Sequence, residues 1–204
     1  MPAFVRDKLR PVGSIEALAL EFAIVTGVRS GDVLGQTRNG YEKEPIRWSD
    51  LRRADPDGPH WMADQKTGEY RIALCSRALD ILAQVESMKL HGEYVFPSVV
   101  QPDAKLGKNA MQASLADLTG GACHVHGFRT SFRTWADRSG FDGGRRDRGE
   151  IAECVLSHKV PGDQVSSRYR DDLLDLRLGM MDMWAGFLGD STPPVVVPFR
   201  RQAA

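Results

Sequence analysis

Apolar side chains recur at three- and four-residue intervals over SIEALALEFAIVT (14–26), which predicts a helix. Ser14 is placed to cap its first turn, and Glu16 favours the positive end of the helix dipole. Gly27 breaks this helix, and Ser30-Gly31-Asp32 opens a second, short one. The stretch QTRNGYEKEP (36–45) is polar and turn-rich and reads as a loop. From Arg47 to Leu74 the period shortens. Segments around IRWSDL, HWMA and YRIAL, separated by DPDG and KTGE, predict a three-stranded antiparallel sheet. Helical spacing returns in SRALDILAQVESM (76–88), with Ser76 as its cap, and again over 107–118. HGFRTSFRTWADRS (126–139) forms a helix with Phe128, Phe132 and Trp135 on one face. FDGGRRDRG reads as a loop, EIAECVLSH as a short helix, and LLDLRLGMMDMWAGFL (173–188) as a final amphipathic helix. The fold class that follows is α+β, mainly α, with one small antiparallel sheet inserted early.

Composition bounds this picture without changing it. With 204 residues, 42% hydrophobic and 26% charged, the chain suits a globular protein with one sizeable core or at most two small ones. No uninterrupted apolar run approaches membrane-spanning length, and MPAFVRDKLRPVG lacks the apolar stretch of a signal peptide. Three cysteines, Cys75, Cys123 and Cys154, are too few and odd in number for a disulfide framework, so the expected compartment is the cytoplasm. Lys plus Arg equal Asp plus Glu at 27 each, which by itself argues against a dedicated nucleic-acid binder. Distribution matters more. Six arginines lie between Arg129 and Arg148 against Asp137, Asp142 and Asp147, which leaves a locally basic surface and a mixed solvated face both open.

Candidate chemistry does change the picture. Arg29 lies in TGVRSGDVLG and Lys66 in the turn of QKTGEYRIAL. His126 and Arg129 stand one helical turn apart in HGFR, His158 lies in LSHK, and Tyr169 follows eleven residues later. Arg, Lys, His-x-x-Arg, His, Tyr is the set that phosphoryl transfer through a tyrosine needs. A phosphodiester under attack gathers charge on its nonbridging oxygens. Arg29 and Arg129 suit the task of gripping those oxygens, because guanidiniums stay charged and bind in a bidentate way that lysine cannot duplicate. Donors of this sort contribute about 3–4 kcal/mol each in active sites generally. Phenol, with an ordinary pKa of about 10, needs a base, for which His126 is the candidate. Lys66 is the candidate acid for the departing 5′ hydroxyl, and His158 a further phosphate donor. No metal or cofactor is required where cationic side chains do this electrostatic work.

Singly, each element has an ordinary structural role. An HxxR pair commonly lies on a surface or at a cap, and Arg29 follows a helix end where arginine meets the dipole. KTG is common turn chemistry, His158 suits a helix C-terminus, and Tyr169 sits between Arg168 and Arg170 as an exposed tyrosine would. A zinc site from Cys123, His124, His126, Cys154 and His158 is a further alternative, but it lacks the paired Cys-x-x-Cys spacing of structural sites. The joint order favours the phosphoryl-transfer reading.

In these segments the chain resembles the tyrosine recombinases, and most closely the integrases of prophages and genomic islands. The resemblance runs from about Ser14 to Leu188 and rests on TGVRSGDVLG, RWSDL, KTGEYRIALCSRAL, YVFPS, HGFRTSFRTWA, IAECVLSHK, Tyr169 and LRLGMMDMWAGFL. It implies the mainly α DNA breaking-rejoining catalytic fold, a covalent 3′-phosphotyrosyl intermediate, and strand exchange between double-stranded attachment sites within a tetramer. It places Arg29, Lys66, His126, Arg129, His158 and Tyr169 on the family's catalytic positions, with no cofactor, small-molecule substrate or membrane partner. The expected organisation is a lead-in over 1–13, a catalytic domain over 14–190 and an extended or disordered tail over 191–204. The core-binding and arm-binding domains that precede the catalytic one in the family are expected to be absent. That expectation leaves a second reading, a truncated, non-catalytic remnant that binds DNA or a partner weakly. Asp32 stands where glutamate is common, QTRNGYEKEP resembles an insertion, and Asp171 falls where arginine is typical. Alanine at Arg29 or Arg129 is expected to abolish cleavage while barely altering stability.

Overall fold

A computed structural model describes residues 1–38, 40–65, 68–90, 92–101, 104–144, 147–157 and 173–189. Lys66, His158, Tyr169 and the tail over 191–204 lie outside the described residues.

The architecture is α+β and mainly helical, assembled around one helix. That helix, α2 (Ile15–Thr26), has eleven of its twelve residues buried, Glu16 being the exception. Its N-terminus is built as its sequence predicts: the Ser14 hydroxyl accepts the Ala17 N–H at 3.3 Å. Gly27, at φ 69°, ends it in the left-handed region where a side chain would be strained. Helices α4 (Ser76–Ser87), α5 (Ala110–Thr119) and α8 (Leu174–Phe187) pack around α2. Within this layer Glu21 is 1% exposed, and Arg10 (2.6 Å) and Arg77 (2.8 and 3.0 Å) neutralise it. The first residues join the same core. A helical run begins with α1 (Pro2–Phe4) and continues to Val12, burying Val5 and Leu9 completely, and Arg10 donates to the Gly189 carbonyl at the end of α8 at 3.1 Å.

The three-stranded sheet is antiparallel in the order β3 (Leu51–Arg52), β4 (His60–Gln65), β5 (Gly68–Ala73). Trp61 pairs with Ile72 and Ala63 with Tyr70, so the period of two turns these four buried side chains toward the helices. Phe22 of α2 meets Trp61 at 6.4 Å and Phe96 at 5.4 Å between ring centroids. Strand pairing extends to Gln65 opposite Gly68, on either side of Lys66 and Thr67.

Two local expectations need correction. The polar stretch after α3 (Ser30–Leu34) is a hairpin, β1 (Gln36–Arg38) and β2 (Tyr41–Lys43), and not an irregular loop. Its Asn-Gly pair is a hairpin signal, but the flanks carry no alternating apolar residues to announce strands. Ser76 does not cap α4 with its own hydroxyl. It is the first helical residue, and its N–H donates to Asp182 Oδ1 of α8 at 2.8 Å, so a neighbouring helix supplies the cap.

Helix α6 (Gly127–Arg138) closes the fold with Phe132 buried. Trp135 and Phe187 add to an aromatic cluster around Trp184, whose indole N–H donates to the Ile24 carbonyl at 2.9 Å. The remaining helix, α7 (Arg148–Val155), is capped by Asp147, which accepts the Glu150 N–H at 3.1 Å. Among the described residues no helix is long and apolar enough to cross a membrane.

Candidate active site

Three of the six candidate residues, Arg29, His126 and Arg129, are described; Arg129 joins the C-terminal end of α2, just before Arg29, to the first turn of α6, which follows His126. A cleft there is lined by Ala23, Ile24, Val28, Val125, Phe128 and Arg129.

Arg129 is 6% exposed. Its guanidinium donates to the carbonyl of Gly27, the C-cap of α2, and to that of Leu156, the C-cap of α7, the latter at 2.6 Å. Both acceptors lie at negative helix ends, which suits a cation. Burial nevertheless disfavours the charged form. Desolvation first, and then repulsion from Arg29, pull the Arg129 pKa down to about 10, against attraction from Asp32 and Glu153. The group thus remains cationic at neutral pH. Its spacing to His126 is helical, but the two side chains part company: His126, at the N-cap of α6, is exposed.

Arg29 has the opposite environment. Its backbone is the N-cap of α3, extended at φ −76° and ψ 147°, and its side chain is exposed. An arginine at a helix N-terminus faces the unfavourable end of that dipole, so α3 gains nothing from its charge. Nor does it serve the end of α2, where Arg129 takes the Gly27 carbonyl. What is fixed is its main chain. The Arg29 N–H donates to Asp32 Oδ2 at 3.1 Å, and the Asp32 N–H donates back to the Arg29 carbonyl at 2.9 Å. Asp32 is buried, and Lys43 of β2 binds its other oxygen at 2.6 Å.

Described residues flanking the other three candidates are tied together by a second buried arginine. Arg177 of α8, 1% exposed, donates to the Arg71 carbonyl at 2.6 Å and to the Leu173 carbonyl at 3.4 Å, and lies 5.0 Å from the Tyr70 ring centroid. The Tyr70 hydroxyl donates to the Cys154 carbonyl of α7. Strand β5 just after Lys66, the end of α7 just before His158 and the start of α8 just after Tyr169 therefore meet at Tyr70 and Arg177. Sequence reasoning had not singled out Tyr70, Arg177, Lys43 or Glu153. Only Arg177, a lone cation within the apolar LLDLRLGMM, left a readable signal.

The arginine-rich stretch reads as a mixed face at Arg133. Arg133 is bound by Asp137 and, at 2.6 Å, by Glu153, and these partners raise its pKa. The zinc alternative finds no support in the geometry: Cys154 is buried in α7, whereas Cys123, His124 and His126 are exposed. Among the described residues no three His, Cys, Asp or Glu side chains come together as a metal site.

Comparison with known proteins places the chain. No family model matches it. It is 29% identical over 150 residues to the prophage integrase IntA of Escherichia coli strain K12, covering 71% of the chain but 34% of that protein, so it spans about a third of this relative's length. Among solved structures, a lambda integrase tetramer bound to a Holliday junction matches with a TM-score of 0.47 at 23% identity, over 78% of this chain and 42% of that one. Over those 150 residues the chain is similar in sequence to a prophage integrase.

Proposed function

We propose that the chain is the catalytic part of a tyrosine site-specific recombinase, which breaks and rejoins DNA strands through a 3′-phosphotyrosyl intermediate. The observation that carries this reading is the convergence at Arg129. One buried cation ties the turn that presents Arg29 to the α7 terminus that precedes His158, on the helix whose N-cap is His126. The relationship to a prophage integrase supports the same chemistry.

In this reading Tyr169 attacks the scissile phosphorus. The P–O bond to the 5′ oxygen breaks as the phosphotyrosyl bond forms, His126 accepts the phenol proton, and Lys66 returns a proton to the departing 5′ oxygen. Arg29 reaches the nonbridging oxygens from an open surface. Arg129 adds fixed positive charge close behind it, and His158 donates a further hydrogen bond. Charge placed in advance where it develops is the largest catalytic contribution available to such a site. Rejoining is the reverse step with a 5′ hydroxyl of the second duplex, within a tetramer of protomers on paired double-stranded sites.

A pool of nicked duplexes with randomised cores tests this directly. Incubation followed by denaturing electrophoresis should give a covalent protein–DNA adduct whose recovered sequences converge on one site. Tyr169→Phe should give none. A chain that binds duplex yet yields no more adduct than Tyr169→Phe would be a non-catalytic DNA-binding relative, and the recombinase reading would fall.

A further inference from the structure

We propose that Lys43, on the hairpin after α3, is a positioning residue for Arg29 and acts through Asp32. The inference rests on reading Arg29 as a phosphate-binding group and adds the device that holds it there.

Asp32 makes two bonds in different directions. Oδ2 accepts the Arg29 N–H at 3.1 Å, and Oδ1 accepts Lys43 Nζ at 2.6 Å. The ion pair is nearly enclosed, with 10% of the Asp32 side chain and 11% of the Lys43 side chain exposed. An ammonium so enclosed and already neutralised makes a poor phosphate contact of its own. It does fix the carboxylate plane, which would otherwise turn about its terminal torsion and release the Arg29 backbone. A long, exposed arginine depends on its main chain for direction, because its side chain has no other anchor among the described residues.

The hairpin is fitted to this purpose. Gly35 joins α3 to β1 at φ 75°, and a Cβ there would lie 2.8 Å from the Lys43 carbonyl, backbone against side chain with nothing able to yield. The Ile46 N–H donates to the Val33 carbonyl at 3.2 Å, so the returning strand is hydrogen-bonded to α3 as well. The segment that looks like an insertion by sequence is therefore a brace against the turn carrying Arg29. Among its described side chains the most enclosed charge, Lys43, is the one that meets Asp32.

A double-mutant cycle on duplex affinity tests the inference without requiring turnover. A fluorescein-labelled mixed-sequence duplex is titrated with wild type, Lys43→Met, Arg29→Ala and the double variant at several salt concentrations. Lys43→Met should weaken binding by about threefold or more and flatten the logarithmic salt dependence, as loss of one phosphate contact does, by about 0.9. Lys43→Arg should restore affinity, a rescue that mere packing would not give. In the Arg29→Ala background Lys43→Met should change nothing further. Equal effects in both backgrounds would mean that Lys43 binds DNA itself, and no effect in wild type would mean that it does nothing for Arg29. Either overturns the inference, as does a wild-type chain that binds no duplex. Should Lys43→Met fail to fold by circular dichroism, Lys43→Gln, which removes the charge but keeps a shorter donor, takes its place, with a smaller loss expected in wild type and again none in the Arg29→Ala background. A wild type that binds but forms no adduct removes the recombinase reading and still leaves this cycle to decide Lys43.

Discussion

Arg29 and Arg129 enter the sequence as equals, two guanidiniums for one phosphate, and the fold treats them in opposite ways. Arg29 stands in the open with its backbone clamped and its side chain exposed. Arg129 is buried, and two of its donors are committed to the carbonyls that end α2 and α7. One cation is offered outward; the other is part of the frame that offers it. In the recombinase reading proposed above, the difference divides the labour of the site. A charge that must meet a ligand needs access and an anchored origin, whereas a charge that shapes the field gains from burial between helix ends.

The contrast predicts that the two arginines fail differently. Arg129→Met should show the largest effect. It leaves two buried carbonyls without charged donors, at about 1–3 kcal/mol each, so urea unfolding should lose about 4 kcal/mol and adduct formation should disappear with it. This revises the sequence-based expectation that the substitution barely alters stability. A variant with wild-type stability and no adduct would return Arg129 to the role of simple phosphate ligand. Arg29→Ala comes next. Its unfolding midpoint should stay within about 0.5 kcal/mol of wild type, while adduct formation slows by about 10²–10³-fold, the loss seen when a preorganised donor is removed. Marked unfolding of Arg29→Ala would break the comparison from the other side.

Periodicity made most of the fold legible, because the apolar spacing of residues 14–26, 76–88 and 126–139 and the alternation across 60–73 are dictated by burial itself. It did not show that α2 lies at the centre, since a helix buried all round has no polar face for the pattern to register. The hairpin at 36–43 escaped because its fold rests on Gly35 and one ion pair, and on no apolar stripe. At the site, residue types and order were readable and depth was not. The HGFR spacing puts His126 and Arg129 a turn apart, but exposure is set by what packs on α6, and at Arg129 that is the ends of α2 and α7. The Asp32–Lys43 and Tyr70–Cys154 links join residues 11 and 84 positions apart, and no local pattern encodes such partners.

A smaller effect sharpens the framing role. Tyr70→Phe removes the donor to the Cys154 carbonyl and keeps the ring beside Arg177. The Cys154 carbonyl still accepts the Ser157 N–H at 3.0 Å, so the loss should be that of one hydrogen bond, about 1 kcal/mol, and the adduct should slow much less than in Arg29→Ala. A rate loss as large as that of Arg29→Ala, at unchanged stability, would make Tyr70 part of the chemistry and not of the frame.

The smallest effect calibrates the others. Asp182 caps α4 from α8, at an exposed position, through the 2.8 Å bond from the Ser76 N–H. Loss of such a cap costs about 1 kcal/mol, and Asp182→Asn, which keeps an accepting oxygen, should recover most of it. Asp182→Ala should therefore lower stability by about that amount and leave duplex affinity and adduct rate unchanged, because α2, α3 and α6 keep every bond they make. Arg29→Ala should do the reverse. If Asp182→Ala weakened DNA binding as much as Arg29→Ala, stability and function would be inseparable in this chain. The distinction between an offered arginine and a framing one would then have no experimental content.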